Sequence, residues 1–187
     1  MFVEVKWTVP NMLSLLRILL LPVFAALYLT SRVHPALLWW ALGVLILSGA
    51  TDFLDGIIAR RFNQISDFGK ILDPLADKLT QVVVVICLAT RYPALITLVV
   101  IILVKELAQV IGGLFLLKKG DEVRGARWFG KISTGVFYGS MALIVLFKSE
   151  MPDWLLIALI VLVAFTMAAT LAGYVKTFFG VNKELKK

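Results

Sequence analysis

The sequence predicts an all-α integral membrane protein: six transmembrane helices and a short N-terminal interfacial segment, forming a single membrane domain over residues 1–187. Three observations predict it. Hydrophobic residues make up 60 % of the 187 and charged residues 17 %, and the mean hydropathy is +0.94. Apolar content at that level signals membrane spans rather than a soluble core. Six apolar stretches, near 12–30, 36–60, 69–90, 93–117, 129–147 and 153–179, each reach the ~20 residues that a ~30 Å hydrocarbon layer requires. The basic residues, finally, gather at the ends of those stretches.

Each element has its own warrant. Residues 1–11 carry Phe2 and Trp7 beside Glu4 and Lys6, a pattern for a piece lying at the interface. The first span holds Arg17 inside its apolar run, lacks a small-residue cleavage site and is followed by further spans, so it reads as retained rather than as a secretory signal. Polar punctuation with Pro or Gly separates the spans at 31–35, 91–93, 118–122 and 148–153. A short link around residues 61–66 makes the second and third spans antiparallel neighbours with their polar ends together. Only helices fit spans of this length with connections this short. Gly135 and Gly139 form a small-xxx-small pair on the fifth span, ordinarily a mark of close helix packing and less often of a dimer face.

Orientation follows from the basic residues. Of the nineteen Lys and Arg, thirteen fall on the side shared by both termini and the 61–66 link, and Arg32, Arg91 and Lys148 fall on the other. That asymmetry places the termini and the second-to-third connection at the cytoplasmic face of a bacterial-type plasma membrane. It also accounts for the net charge of +7 without a nucleic-acid partner. Cys87 is the single cysteine, which excludes an intrachain disulfide, and His34 beside Pro35 reads as a loop residue. The hydropathy shows no internal repeat or inverted symmetry, which weighs against a secondary transporter.

Against this apolar background stands one cluster. Asp52, Asp55, Gly56, Ala59 and Arg60 close the second span, and Gly69, Asp73 and Asp77 open the third. A carboxylate at bilayer depth costs about 2.5–3.5 kcal/mol on insertion scales, and four together repel one another. With about 100° of rotation per helical residue, Asp52, Asp55, Gly56 and Ala59 share one stripe, and Gly69, Asp73, Ala76 and Asp77 share another. Four carboxylates then converge across a helix pair. Oxygen ligands of this kind suit Mg²⁺ or Mn²⁺, and two ions bridged by carboxylates are the usual clamp for displacement at phosphorus. Gly56, Ala59 and Gly69 leave room for a bulky ligand against helix backbone, and Arg60 offers a fork of donors to a phosphate. A cation transporter would also gather carboxylates, but it has no need of small residues on the same stripes.

The run from Asp52 to Asp77 resembles the signature of the CDP-alcohol phosphatidyltransferases, D-x2-D-G-x2-A-R-x8-G-x3-D-x3-D, and matches every specified position. The resemblance implies a six-helix, dimeric membrane enzyme that transfers a phosphatidyl group from CDP-diacylglycerol to an alcohol and releases CMP. It implies Asp52, Asp55 and Asp73 as metal ligands and Asp77 as a further ligand and the general base. Asp52, Gly56, Ala59, Arg60 and Gly69 would accommodate the cytidine and diphosphate. The opening Pro10-Asn11-Met12-Leu13-Ser14-Leu15-Leu16-Arg17 and the element Gly130-Lys131-Ile132-Ser133-Thr134 are similar to those of the phosphatidylglycerophosphate and cardiolipin synthase branch. Glycerol 3-phosphate as acceptor would need cations, for which Lys105, Arg127 and Lys131 are the candidates, with Lys105–Glu106 as a self-neutralising pair the plainer reading. Those synthases commonly carry an arginine where this chain has Gly113. Phosphatidylglycerol, the acceptor of a cardiolipin synthase, therefore stays open as the rival.

Overall fold

The computed structural model describes residues 8–62, 68–117, 127–147 and 150–184; the side chains at 59–60, 70–71, 109–117, 127–131 and 174–184 lie outside that description. Among the described residues six α-helices follow in chain order: α1 Val9–Thr30, α2 Leu37–Arg61, α3 Gly69–Ala89, α4 Ile96–Leu117, α5 Arg127–Leu146 and α6 Asp153–Glu184, with a 3₁₀ turn at Pro93–Leu95. Three of them, over Val9–Thr30, Leu37–Ile58 and Asp153–Gly173, are individually long and apolar enough to cross a bilayer. Phe53, Trp154 and Phe165 are 70 %, 71 % and 69 % exposed, and many Leu, Ile and Val side chains share that outward placement. In water such a surface would drive aggregation; in lipid it is the expected exterior.

The helices start and stop where local chemistry directs. Thr8 caps α1, its hydroxyl accepting the Asn11 N–H at 3.4 Å, and Pro10 sits in the first turn, where its missing N–H costs nothing. That cap starts the helix at Val9. Residues 9–11, assigned from sequence to the interfacial segment, are thus helical, while residues 1–7 lie outside the description. The α1–α2 connection is pinned from α3. Arg32 donates to the Thr90 carbonyl, and Arg91 donates to Ser31 Oγ at 2.6 Å while its guanidinium lies 4.8 Å from the Tyr28 ring.

The chain divides into two compact units, Met1–Pro93 with Met141–Glu150 and Ala94–Ser140 with Met151–Lys187. In the first, α1 packs on both α2 and α3, and among the described residues it shares far more of its length with each than they share with each other. The buried positions of α1 are Pro10, Asn11, Ser14, Arg17, Leu21, Phe24 and Tyr28, three or four apart and therefore one stripe. The stripe is polar in its first two turns and apolar beyond. On α2 the order reverses, from Leu38, Ala41 and Leu45 to Ser48, Thr51 and Asp55. Because a short turn makes α1 and α2 antiparallel, the polar ends meet. Along the apolar part, a narrow crevice is lined by Leu20, Leu21, Phe24, Val44, Leu45, Ser48, Thr80 and Val84. In the second unit α4 packs on α6. A Cβ added at Gly135 or Gly139 would meet nothing within 4 Å, so this pair does not mediate close helix packing among the described residues.

Phe24 is 2 % exposed and stacked on Tyr28, with centroids 5.8 Å apart and planes 15° apart. In lipid, lost packing rather than transfer to water sets the cost of truncation. Phe24→Ala opens roughly 100 Å³ beside the existing crevice, which at about 24 cal/mol per Å³ should destabilise by roughly 2 kcal/mol. Reversible denaturant unfolding in detergent micelles measures it.

Candidate active site

The polar ends of α1, α2 and α3 build one site within the first unit. From α2, Asp52 and Asp55 are three residues apart and so point the same way. Between them lies Arg17 of α1, whose side chain is fully buried. Its Nη2 donates to Asp55 Oδ2, and its Nη1 forms an ion pair with Asp52 Oδ1 at 2.6 Å, without hydrogen-bond alignment. The Asp55 and Asp52 side chains are 8 % and 26 % exposed. A guanidinium there offsets two carboxylates that would otherwise be costly at this depth.

One turn back on the same stripe, Ser14 joins α2 to α3. Its Oγ lies 2.5 Å from Asp73 Oδ1, 3.4 Å from Asp55 Oδ2 and 3.2 Å from the Pro10 carbonyl. A hydroxyl has one proton, and the short contact to Asp73 is where it goes. Three signature aspartates are thus drawn together through two α1 side chains. Asp77, one turn along α3, takes a 3.4 Å hydrogen bond from Gln81 Nε2. Gln81 is 2 % exposed, and its Oε1 meets no donor among the described residues.

Gly69 is buried and Gly56 half-buried. Lys105, in the second unit, lies 3.0 Å from Glu106, the self-neutralising pair. The side chains of Ala59, Arg60, Arg127 and Lys131 lie outside the described residues. The expectation that the carboxylates converge across α2 and α3 alone is corrected: α1 packs on both and supplies the side chains that join them. Arg17, Ser14 and Gln81 went unassigned from sequence. Arg17 had a signal, as a lone cation three residues from a serine inside an apolar run. Gln81 had a weaker one, as an amide four residues after Asp77.

The donor set is carboxylate and hydroxyl oxygen only, and it already surrounds a cation. Its chemistry therefore fits a hard divalent ion. No three acidic, histidine or cysteine side chains among the described residues approach one point closely enough to hold an ion.

Residues 7–175 match the CDP-alcohol phosphatidyltransferase family. Over 105 residues, 54 % of this chain, the sequence is 42 % identical to a CDP-diacylglycerol–glycerol-3-phosphate 3-phosphatidyltransferase of Cereibacter sphaeroides, of which the match spans 47 %. A cardiolipin synthase (CMP-forming) of Streptomyces coelicolor is 35 % identical over 149 residues, 79 % of this chain and 68 % of that protein. A CDP-diacylglycerol–glycerol-3-phosphate 3-phosphatidyltransferase of Bacillus subtilis is 35 % identical over 140 residues, 68 % of this chain and 71 % of that protein.

Gln81→Leu removes a long hydrogen bond together with a buried carbonyl oxygen that lacks a donor. The two losses nearly cancel, so stability should stay within about 1 kcal/mol of the parent. Thermal melts in detergent check this, and a larger loss would give the Asp77–Gln81 contact more weight than its length implies.

Proposed function

Since the chain belongs to the CDP-alcohol phosphatidyltransferase family, we propose that it transfers a phosphatidyl group from CDP-diacylglycerol to an alcohol acceptor in phospholipid synthesis. The observation that carries this reading is the drawing together of Asp52, Asp55 and Asp73 through Arg17 and Ser14, in a chain that holds the complete signature. The acceptor is glycerol 3-phosphate, giving phosphatidylglycerophosphate. Phosphatidylglycerol is the second reading, favoured by Gly113 in place of an arginine. The site lies at the cytoplasmic face of one membrane domain, and the protein acts as a homodimer.

Asp52, Asp55, Asp73 and Asp77 would hold two Mg²⁺ or Mn²⁺ ions, which when bound neutralise charge on the diphosphate and on departing CMP. The remaining work falls to the chain. Gly56, Ala59 and Gly69 keep the helix surfaces low so that the nucleotide end can lie against backbone. Arg60 addresses a phosphate as a fork of donors. Asp77 takes the proton from the acceptor hydroxyl, whose oxygen then attacks the β-phosphorus in line as the bond to CMP breaks. Burial of Gln81 beneath Asp77 keeps water from that side of the base.

The experiment is purified protein in micelles with CDP-diacylglycerol, Mg²⁺ or Mn²⁺, and glycerol 3-phosphate or phosphatidylglycerol in separate arms. CMP release and the lipid product are scored. Release with neither acceptor, nor with inositol phosphate or serine, would refute the activity. Asp77→Asn should fold normally and lose about 10²- to 10⁴-fold in turnover, the usual contribution of a general base. A rate near that of the parent removes Asp77 from the role. Lys105→Ala separates the acceptors: it should raise KM for glycerol 3-phosphate severalfold while leaving the KM for phosphatidylglycerol largely unmoved.

A further inference from the structure

Arg17 touches the same carboxylates that the proposed function assigns to metal. Its charge lies between Asp52 and Asp55, paired with one oxygen of each, and its side chain has no exposure. Yet it is poorly held. Among the described residues Nε has no acceptor, and Nη1 meets Asp52 at 2.6 Å without alignment. A buried guanidinium with idle donors is costly, because each lost bond to water goes unreplaced. A divalent ion held by both carboxylates would need the space that the guanidinium nitrogens fill. The two cations compete for one place.

We propose that Arg17 is a positioning residue that stands in for the divalent ion: it holds Asp52 and Asp55 together while the site is metal-free and yields them when metal binds. This rests on the metal-dependent reading above. Three consequences follow from the geometry. Metal-free protein stays folded because Arg17 offsets the carboxylates. Metal affinity is held down by the free energy of evicting the guanidinium. The evicted side chain, with five donors, becomes free to address phosphate.

Mn²⁺ titration followed by electron paramagnetic resonance, on purified protein in detergent without lipid substrate, tests the exchange. Arg17→Gln should bind Mn²⁺ about 5- to 150-fold tighter than the parent, the range of ordinary site coupling. Arg17→Lys, which keeps the charge and loses the fork, should fall between. In EDTA the Arg17→Gln protein should melt at a lower temperature than the parent, and saturating Mn²⁺ should close the gap. If Arg17 instead braces the ligands from behind, Arg17→Gln binds Mn²⁺ equally or more weakly, and the proposal fails. Should that variant not fold, the parent protein decides: phenylglyoxal labelling of Arg17, read by peptide mass spectrometry, should rise with Mn²⁺, and an unchanged yield overturns the exchange. A parent that binds no Mn²⁺ and releases no CMP sinks the functional reading along with it. A parent that does both while Arg17→Gln binds Mn²⁺ no tighter sinks the exchange alone.

Discussion

The structure turns on offsetting negative charge inside a hydrocarbon layer. Asp52 and Asp55 cannot be buried near one another at the end of a membrane helix unless a cation meets them, and Arg17 is that cation. Much else follows from this requirement. It dictates that α1 lie against α2, that the polar third of each helix end at the same level, and that Ser14, one turn from Arg17, reach Asp73 on α3. Apolar packing between membrane helices discriminates little between neighbours, because lipid is as apolar as the helix. The ionic contact does discriminate. Register among α1, α2 and α3 is therefore set at the polar end and merely filled in along the apolar one.

The apolar end has its own lock. Arg91 stacks over Tyr28 and donates to Ser31, while Arg32 reaches back to the Thr90 carbonyl. These contacts tie the α1–α2 turn to the end of α3, so the three helices are fixed at both ends. Between the two locks the crevice beside Phe24 and Val44 is lined almost wholly by hydrocarbon. A dry floor of this kind raises the worth of each charge contact above it, since little screening reaches the pair from below. It also raises the cost of leaving any of the carboxylates without a cation. The same layout that stabilises the Arg17 pairs would strengthen their replacement by an ion of higher charge.

Much of this was legible in the sequence, and the parts that were not share a cause. Helix limits fell within a few residues of the breaks read from Pro35, Tyr92-Pro93 and Met151-Pro152, because a chain in lipid leaves few alternatives for its backbone. The start of α1 came earlier than hydropathy placed it, since Thr8 and Pro10 are cap signals that hydropathy does not weigh. Spacing alone put Asp52 and Asp55 on one face of α2, where both meet Arg17. What spacing could not supply was the third partner: periodicity says which residues share a face, not which helix that face meets. Arg17 was read as one more orienting charge for this reason. Gly135 and Gly139 illustrate the converse, a spacing suited to close packing that meets open space among the described residues.

The same division bears on the choice of acceptor. Asp52, Asp55, Asp73 and Asp77 lie in the first unit, whereas Lys105 lies in the second. Chemistry at the diphosphate is common to any acceptor, so its residues carry no information about which alcohol attacks. A glycerol-3-phosphate phosphatidyltransferase and a cardiolipin synthase resemble this chain at 42 % and 35 % identity, as expected if shared chemistry dominates the likeness. On the proposed function, selectivity would rest on cations outside the signature, and Lys105, the candidate whose surroundings are described, has a partner in Glu106. For Lys105 to bind a phosphate it must loosen that pair and recover the cost from a dianion. Glycerol 3-phosphate supplies two negative charges to do so and a phosphodiester only one. If Lys105 meets the acceptor as proposed, the strength of the Lys105–Glu106 pair would set a threshold that favours the more highly charged acceptor, and lowering it would broaden the choice.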